Sequence, residues 1–200
     1  TNIHTDTFKG QNGLNSFHEF NVTKGDTVNL HFSNSTNTYT ATNLLNFVTG
    51  GNMSYIDGTL NGIKNGKIGG NVYFLNPQGI MVGASGVINV GSLTMMTPTK
   101  SFVDGFFDGL SDSQTATDAI LNRTIPIDTS GLIVVQGKVN AIKDIGIFAG
   151  NVTNKGTIMS GAMFTNKEAD FSDIVNVNNL QSGTRISVED GNIVIMASTD

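Results

Sequence analysis

The chain contains no cysteine and no tryptophan, and only three prolines and three tyrosines in 200 residues. Without cysteine, a disulfide framework, a thiolate zinc site and thiol catalysis are excluded. Charge is sparse as well. Eleven basic and 16 acidic side chains make 14% of the residues and leave a net charge of −5. This acidic balance argues against nucleic acid as a partner. No apolar run approaches the ~18–20 residues that a membrane-spanning helix requires, so no transmembrane segment is expected. Disorder is excluded from the other side, because a 38% hydrophobic chain with so little charge can build a core.

What the chain has instead is small and polar. Gly, Asn, Thr and Ser supply 86 of the 200 residues. Residues 1–100 carry five basic and four acidic side chains, whereas residues 101–200 carry six and twelve. The length suits one domain, or an elongated one. The chain opens on Thr1 without a signal-peptide core and stops at Asp200 after an apolar run. It therefore reads as a trimmed N-terminal portion of a longer, repetitive protein.

Short β runs punctuated by Gly and Asn dominate. Val28-Asn-Leu-His-Phe32 alternates with period two, as do Val72–Leu75 in part and Ile186-Ser-Val188. Further strands are expected at 131–137, 138–142, 145–150, 151–158, 183–188 and 191–196. Helical periodicity is confined to Ser113–Arg123, where Ala116, Ala119 and Ile120 share one face and Ser113 or Thr115 can cap. Strands of 3–6 residues recur every 7–12 residues, a spacing that suits a sandwich, a barrel or a solenoid. Abundant Asn favours the solenoid, because stacked Asn side chains form ladders along a pile of like turns. The expected fold is all-β: a right-handed parallel β-helix whose coils share one core. With ~4.8 Å between strands and about 20–25 residues per coil, the rod is expected to be roughly 40 Å long.

Such a rod has two open ends. Residues 1–32, with Phe8, Phe17, Phe20 and Phe32, are expected to cap the first. Residues 104–126 break the repeat and are expected to leave the helix, carrying Phe106 and Phe107 back onto its body. Residues 1–200 form a single domain in this reading.

Three segments carry a family resemblance: Asn15-Ser-Phe-His-Glu-Phe-Asn-Val-Thr-Lys-Gly25, Leu45-Asn-Phe-Val-Thr-Gly-Gly-Asn-Met-Ser-Tyr-Ile-Asp-Gly58, and Gly70-Asn-Val-Tyr-Phe-Leu-Asn-Pro-Gln-Gly-Ile-Met-Val-Gly83 running on through Gly86–Gly91. In this order and spacing the chain resembles the N-terminal secretion domain of two-partner-secretion exoproteins, the family of filamentous haemagglutinins and related adhesins. The family pattern N-P-N-G-I is met at Asn76–Ile80 except that Gln78 replaces the middle Asn. The match is strongest over residues 13–97. The resemblance implies a secretion and targeting domain of a large exported adhesin. Its partner would be the periplasmic domains of a dedicated outer-membrane barrel transporter, and it would nucleate β-helix folding at the surface of a Gram-negative bacterium. It implies no enzyme activity, no cofactor and no metal. A host-cell or glycan receptor would belong to the full-length protein, and the domain is expected to be a monomer. Zero cysteine suits a chain threaded unfolded through a pore. It also leans away from the family's cytolysin branch, which carries a Cys-x-x-Cys pair.

The candidate recognition residues are Asn46, Asn76, Pro77, Gln78, Gly79 and Ile80, with a secondary motif of Asn15, Phe17, Phe20, Asn21 and Gly25. Two readings stay open for each. Asn76-Pro-Gln-Gly79 has the chemistry of a type I turn, so it reverses the chain, meets the transporter, or both. Asn46 is equally a buried turn residue or a recognition element.

Other motifs point to less. Gly50-Gly51 and Gly69-Gly70 lack the Lys-Ser/Thr of a phosphate loop and suit tight corners. His18 and His31 are expected to approach one another in the cap, without a metal-ligand spacing. Asp104, Asp108, Asp112 and Asp118, with Arg123 nearby, read as a solvated acidic loop. Two competing functions remain. A direct carbohydrate- or host-binding adhesin module would show clustered exposed aromatics. A polysaccharide-active β-helix enzyme would show carboxylates converging with Arg or Lys.

Overall fold

The computed structural model describes residues 1–109, 113–165, 168–171, 183–189 and 192–196. The chain opens with β1 (Asn2–His4), β2 (Thr7–Lys9) and β3 (Asn12–Phe17). The next circuit is β4 (Thr27–His31), β5 (Asn43–Val48) and β6 (Ser54–Ile56). β7 (Thr59–Lys64), β8 (Lys67–Ile68), β9 (Asn71–Leu75) and β10 (Ile80–Val82) follow. β11 (Val87–Val90) and β12 (Ser92–Met96) lead into α1 (Lys100–Phe107) and α2 (Ser113–Leu121) before β13 (Leu132–Val135) closes that circuit. β14 (Lys138–Ala141), β15 (Ile145–Asn154) and β16 (Thr157–Met159) end the coil. Two antiparallel pairs come last, β17 (Ala162–Thr165) with β18 (Glu168–Phe171) and β19 (Gly183–Glu189) with β20 (Asn192–Met196).

Each circuit lays one strand on each of three parallel ladders. The first runs β1-β4-β7-β11-β14-β16. The second runs β3-β5-β9-β12 and the first half of β15. The third runs β6-β10-β13 and the second half of β15, with Val22 bridging in parallel to Ile56 at its start. This is a parallel β-helix. The segments expected as separate strands at 145–150 and 151–158 are joined differently. β15 turns the corner without a break, its register shifting between Phe148 and Val152, and β16 is a new rung.

Period-two alternation builds the core. In β4, Val28 and Leu30 point inward and are buried, while Asn29 and His31 face outward. The same rule sends Leu60, Ile88 and Val139 inside and stacks Asn61, Asn89 and Asn140 outside. Those outward amides form a ladder. Asn29, Asn61, Asn89 and Asn140 each donate Nδ2–H to Oδ1 of the preceding rung at 2.9–3.0 Å, starting from Asn2. A second ladder links Asn12, Asn43 and Asn71 at 2.8 and 2.9 Å, at the corner where the second face begins.

Coil length is uneven. The first ladder's steps are 27, 32, 28 and 51 residues, because loops and then two helices are inserted without disturbing the register. The expected 20–25 residues per coil is thus too uniform. Six rungs at ~4.8 Å put β16 about 24 Å from β1.

Helix α1 was not expected from the sequence. Thr99 caps it, Oγ1 accepting from Phe102 N–H at 3.3 Å. Together with α2 it covers the outside of the second face. Leu45, Phe47, Leu75, Met96 and Phe148 from the strands pack there with Phe106, Ala116 and Ile120 from the helices. The Phe106 and Phe107 rings lie 4.6 and 5.0 Å from that of Phe47. The second face is therefore apolar on both sides, and β5 is buried along almost its whole length. At the open start of this sheet, β2 pairs antiparallel with β3. Within residues 1–32, β1, β3 and β4 themselves run parallel in the ladders.

Candidate functional site

The turn between β9 and β10 carries the Asn76–Ile80 motif. Asn76 Oδ1 accepts from Gln78 N–H at 2.9 Å, and the Asn76 carbonyl accepts from Gly79 N–H at 3.1 Å. The Asn76 Nδ2 donates to the Asn52 carbonyl at 3.1 Å and to Ser54 Oγ at 3.0 Å. The side chain is wholly buried and bonded at both ends of its amide, tying the turn to the preceding coil. Pro77 and Ile80 are buried too, Ile80 between Ser54 and Ile133. Gly79 has φ +117°, and a Cβ there would stand 2.6 Å from the Leu132 carbonyl of the following coil. Glycine is required on both counts. Gln78 alone presents its side chain to solvent. The position that departs from N-P-N-G-I is thus the one where the turn uses only the backbone.

Asn46 points into the core from β5 and is also wholly buried. Its Oδ1 accepts from Asn15 Nδ2 at 2.9 Å, and its Nδ2 donates to the carbonyls of Tyr73 at 3.1 Å and Leu44 at 3.3 Å. Asn15 Oδ1 in turn accepts from Thr5 Oγ1 at 3.1 Å. This relay joins three successive coils through their interior.

The secondary motif divides in the same way. Phe20 is buried, its ring 5.0 Å from those of both Phe17 and Phe74, so the pair plugs the first end of the core. Gly25 is exposed in a turn at φ +87°. Asn21 is exposed, and its Oδ1 accepts from Tyr55 N–H at 2.9 Å, covering the edge of β6.

The two motifs meet at the surface. Gln78 and Asn21 line one groove of about 320 Å³ together with Glu19, Asn52, Met53 and Tyr55. Asn52 Nδ2 donates to Glu19 Oε1 at 2.6 Å across it. Tyr55 is 47% exposed, one of the few large rings facing solvent. Sequence reasoning did not place Glu19, Asn52 or Tyr55 among the recognition residues. The signal was present for Tyr55: in Ser54-Tyr-Ile56 the flanking residues turn inward, so the ring must turn out. A second, more apolar groove of about 420 Å³ lies between the cap and the helices, lined by Phe8, Leu14, Asn15, Phe106 and Phe107 among others.

The remaining polar groups do not gather. His31 stacks on His4 at 4.3 Å rather than approaching His18, whose carbonyl instead accepts from Gly50 N–H. Burial and the neighbouring His4 hold the His31 pKa below its ordinary value. Asp104 pairs with Lys100, and Asp118 accepts from Gln114 at 2.8 Å, while Asp112 lies outside the described residues. Arg123 Nε donates to Thr94 Oγ1 at 3.2 Å. Among the described residues no three His, Asp or Glu side chains are grouped to hold a metal, and no helix is long and apolar enough to cross a membrane.

Comparison with known families matches residues 1–200 to the family described as the TPS secretion domain. Among curated proteins none matches the chain.

Proposed function

The chain belongs to the TPS secretion domain family, and from that membership we propose that the Gln78–Asn21 groove is the surface its transporter reads. Membership makes the chain the targeting part of an exoprotein carried to the surface or medium of a Gram-negative bacterium by an outer-membrane transporter. The finer reading is ours. Asn46 and Asn76 hold the fold, and Gln78, Tyr55 and Glu19 offer the contact. The observation that carries it is burial. Of the six residues in the Asn46 and Asn76–Ile80 set, only Gln78 exposes its side chain, and it lies in one groove with Asn21 of the other motif. A groove with one carboxylate, three amides and an exposed tyrosine suits a polar, strand-like partner better than a catalytic role, and we read the domain as non-enzymatic. The stacked first coils, each resting only on its neighbours, would also serve as the folding nucleus at the cell surface.

The test is a calorimetric titration of the 200-residue chain against the periplasmic domains of its transporter, with circular dichroism on every variant. Gln78→Ala and Tyr55→Ala should weaken binding while the β spectrum persists. Asn76→Ala should lose binding and β structure together. Wild-type affinity in folded Gln78→Ala and Tyr55→Ala would overturn the reading.

A further inference from the structure

The sequence holds three Asn-Gly dipeptides: Asn12-Gly13, Asn61-Gly62 and Asn65-Gly66. This pair of residues carries a reaction of its own. A glycine nitrogen has no neighbouring β-carbon to shield it, so it can attack the side-chain carbonyl carbon of the asparagine before it. The fold decides which of the three is free to react.

Two are locked into the amide ladders. Asn61 Nδ2 donates to Asn29 Oδ1 at 3.0 Å, and Asn61 Oδ1 accepts from Asn89 Nδ2 at 2.9 Å. Asn12 Oδ1 accepts from Asn43 Nδ2 at 2.8 Å. The glycines that follow them are buried in strands, Gly62 opposite Leu30 and Gly13 opposite Leu44. Neither amide can swing onto the next nitrogen until its rung opens.

Asn65-Gly66 stands apart on each of these counts. It makes the two-residue turn between β7 and β8 at φ +53° and +74°, the left-handed pair that an Asn-Gly hairpin turn adopts. Both residues are exposed. Among the described residues none is hydrogen-bonded to the Asn65 amide, and a Cβ at Gly66 would meet nothing within 4 Å. Behind the turn only Lys64 with Lys67 and Ile63 with Ile68 are paired. The hairpin is an insertion at a corner that the next coil turns with Gly91 alone, between β11 and β12. Gly69 N–H bonds to the Gly62 carbonyl at 3.0 Å and closes its base, so the tip can open while the coil stays shut. Lys64 and Lys67 stand opposite one another. Their repulsion loosens the turn, and their charge favours loss of the Gly66 amide proton.

We propose that Asn65 is a self-modification site, converting to aspartate and isoaspartate in the folded chain. The Gly66 N–H gives its proton to solvent base, and the nitrogen bonds to Asn65 Cγ. The Cγ–Nδ2 bond breaks, and Nδ2 takes up a proton and leaves as ammonia. Water then opens the cyclic imide. Cleavage between Cγ and the Gly66 nitrogen gives aspartate, and cleavage between the Asn65 main-chain carbonyl and that nitrogen gives isoaspartate. The new carboxylate lies between Lys64 and Lys67 and relieves their repulsion. None of these residues lines the transporter groove, so the two sites are independent.

The test incubates the 200-residue chain in mildly alkaline buffer and follows each dipeptide by peptide mass spectrometry. An isoaspartyl methyltransferase with labelled methyl donor marks isoaspartate, and circular dichroism reports the fold. In the folded chain Asn65 should convert about tenfold or more faster than Asn12 and Asn61, whose reaction waits on opening of bonded rungs. In concentrated urea the three should convert at similar rates. Gly66→Ala shields the nitrogen, and its Cβ meets no neighbour, so it should slow conversion at Asn65 severalfold while the β spectrum persists. Equal rates at Asn61 and Asn65 in the folded chain, conversion of Asn65 only in urea, or an unchanged rate in Gly66→Ala would overturn the proposal.

Discussion

Asn15 Nδ2 donates to Asn46 Oδ1 at 2.9 Å inside the β-helix, and Asn46 passes the chain of bonds to the Tyr73 carbonyl at 3.1 Å. Three coils are thereby pinned in register by one buried amide. Asn46→Ala leaves the Asn15 donor without its partner and removes the bonds to the Tyr73 and Leu44 carbonyls from the interior. Each costs about 1–3 kcal/mol, so a loss of roughly 2–5 kcal/mol is expected in urea denaturation. A loss below 1 kcal/mol would mean that water or repacking replaces the amide, and would return Asn46 to the recognition residues.

The Asn76 turn separates fold from surface within two adjacent positions. Gly79→Ala places a Cβ 2.6 Å from the Leu132 carbonyl at a φ of +117°. The strain should cost about 1–3 kcal/mol or more, or prevent folding. Gln78→Asn restores the family's residue at an exposed site and should change stability by no more than about 0.5 kcal/mol. Thermal melts of the two variants check this. Equal melting temperatures for Gly79→Ala and wild type would show that the turn relaxes freely.

The outward amide ladder predicts a gradient. Asn61 both donates to Asn29 and accepts from Asn89, so Asn61→Ala breaks two rungs and should cost about 1–3 kcal/mol. Asn140 ends the ladder. It donates to Asn89, but its own Oδ1 is buried without a partner, because the next rung offers Met159. Asn140→Ala loses one bond and relieves one orphaned acceptor, so it should cost less than Asn61→Ala. Denaturant midpoints compare them, and the reverse ranking would refute the ladder's role.

The ladder was legible in the sequence because Asn side chains supply both donor and acceptor and recur wherever coils stack. The core strands were legible for a similar reason: Val28, Leu30 and Ile88 alternate with polar residues. Helix α1 was not. Phe102, Val103, Phe106 and Phe107 read as β-formers and Gly105 weakens a helix, so its helicity rests on the Phe47, Leu75 and Met96 surface it packs against. That surface is assembled from three different coils. The site was half legible. Its motifs were visible, but their burial was not, because whether Asn46 faces core or solvent depends on a neighbour 31 residues away. The groove itself joins Glu19, Tyr55 and Gln78 from three coils and has no local signature.

The stacked His4–His31 pair makes the first rungs sensitive to acid. Burial and the nearby His4 depress the His31 pKa in the folded chain. The folded state therefore binds fewer protons than the unfolded chain in the window just below the ordinary histidine value of 6.5. The unfolded state gains on protonation, so stability present above that value is lost as pH falls through the folded pKa. Asp6, lowered by its bonds from the Ser35 N–H and hydroxyl, works in a separate window below 3.8. The β1–β4 pairing, which carries both rings, should open first. Protection of the Ile3 and Leu30 amides, taken relative to their intrinsic exchange rates, should fall as pH drops below 6.5, while that of Ile88 and Val139 stays constant. His31→Gln keeps a polar ring-sized group without the charge and should flatten that dependence. If β1 loosens equally in His31→Gln, the acid sensitivity lies elsewhere than in the stacked pair.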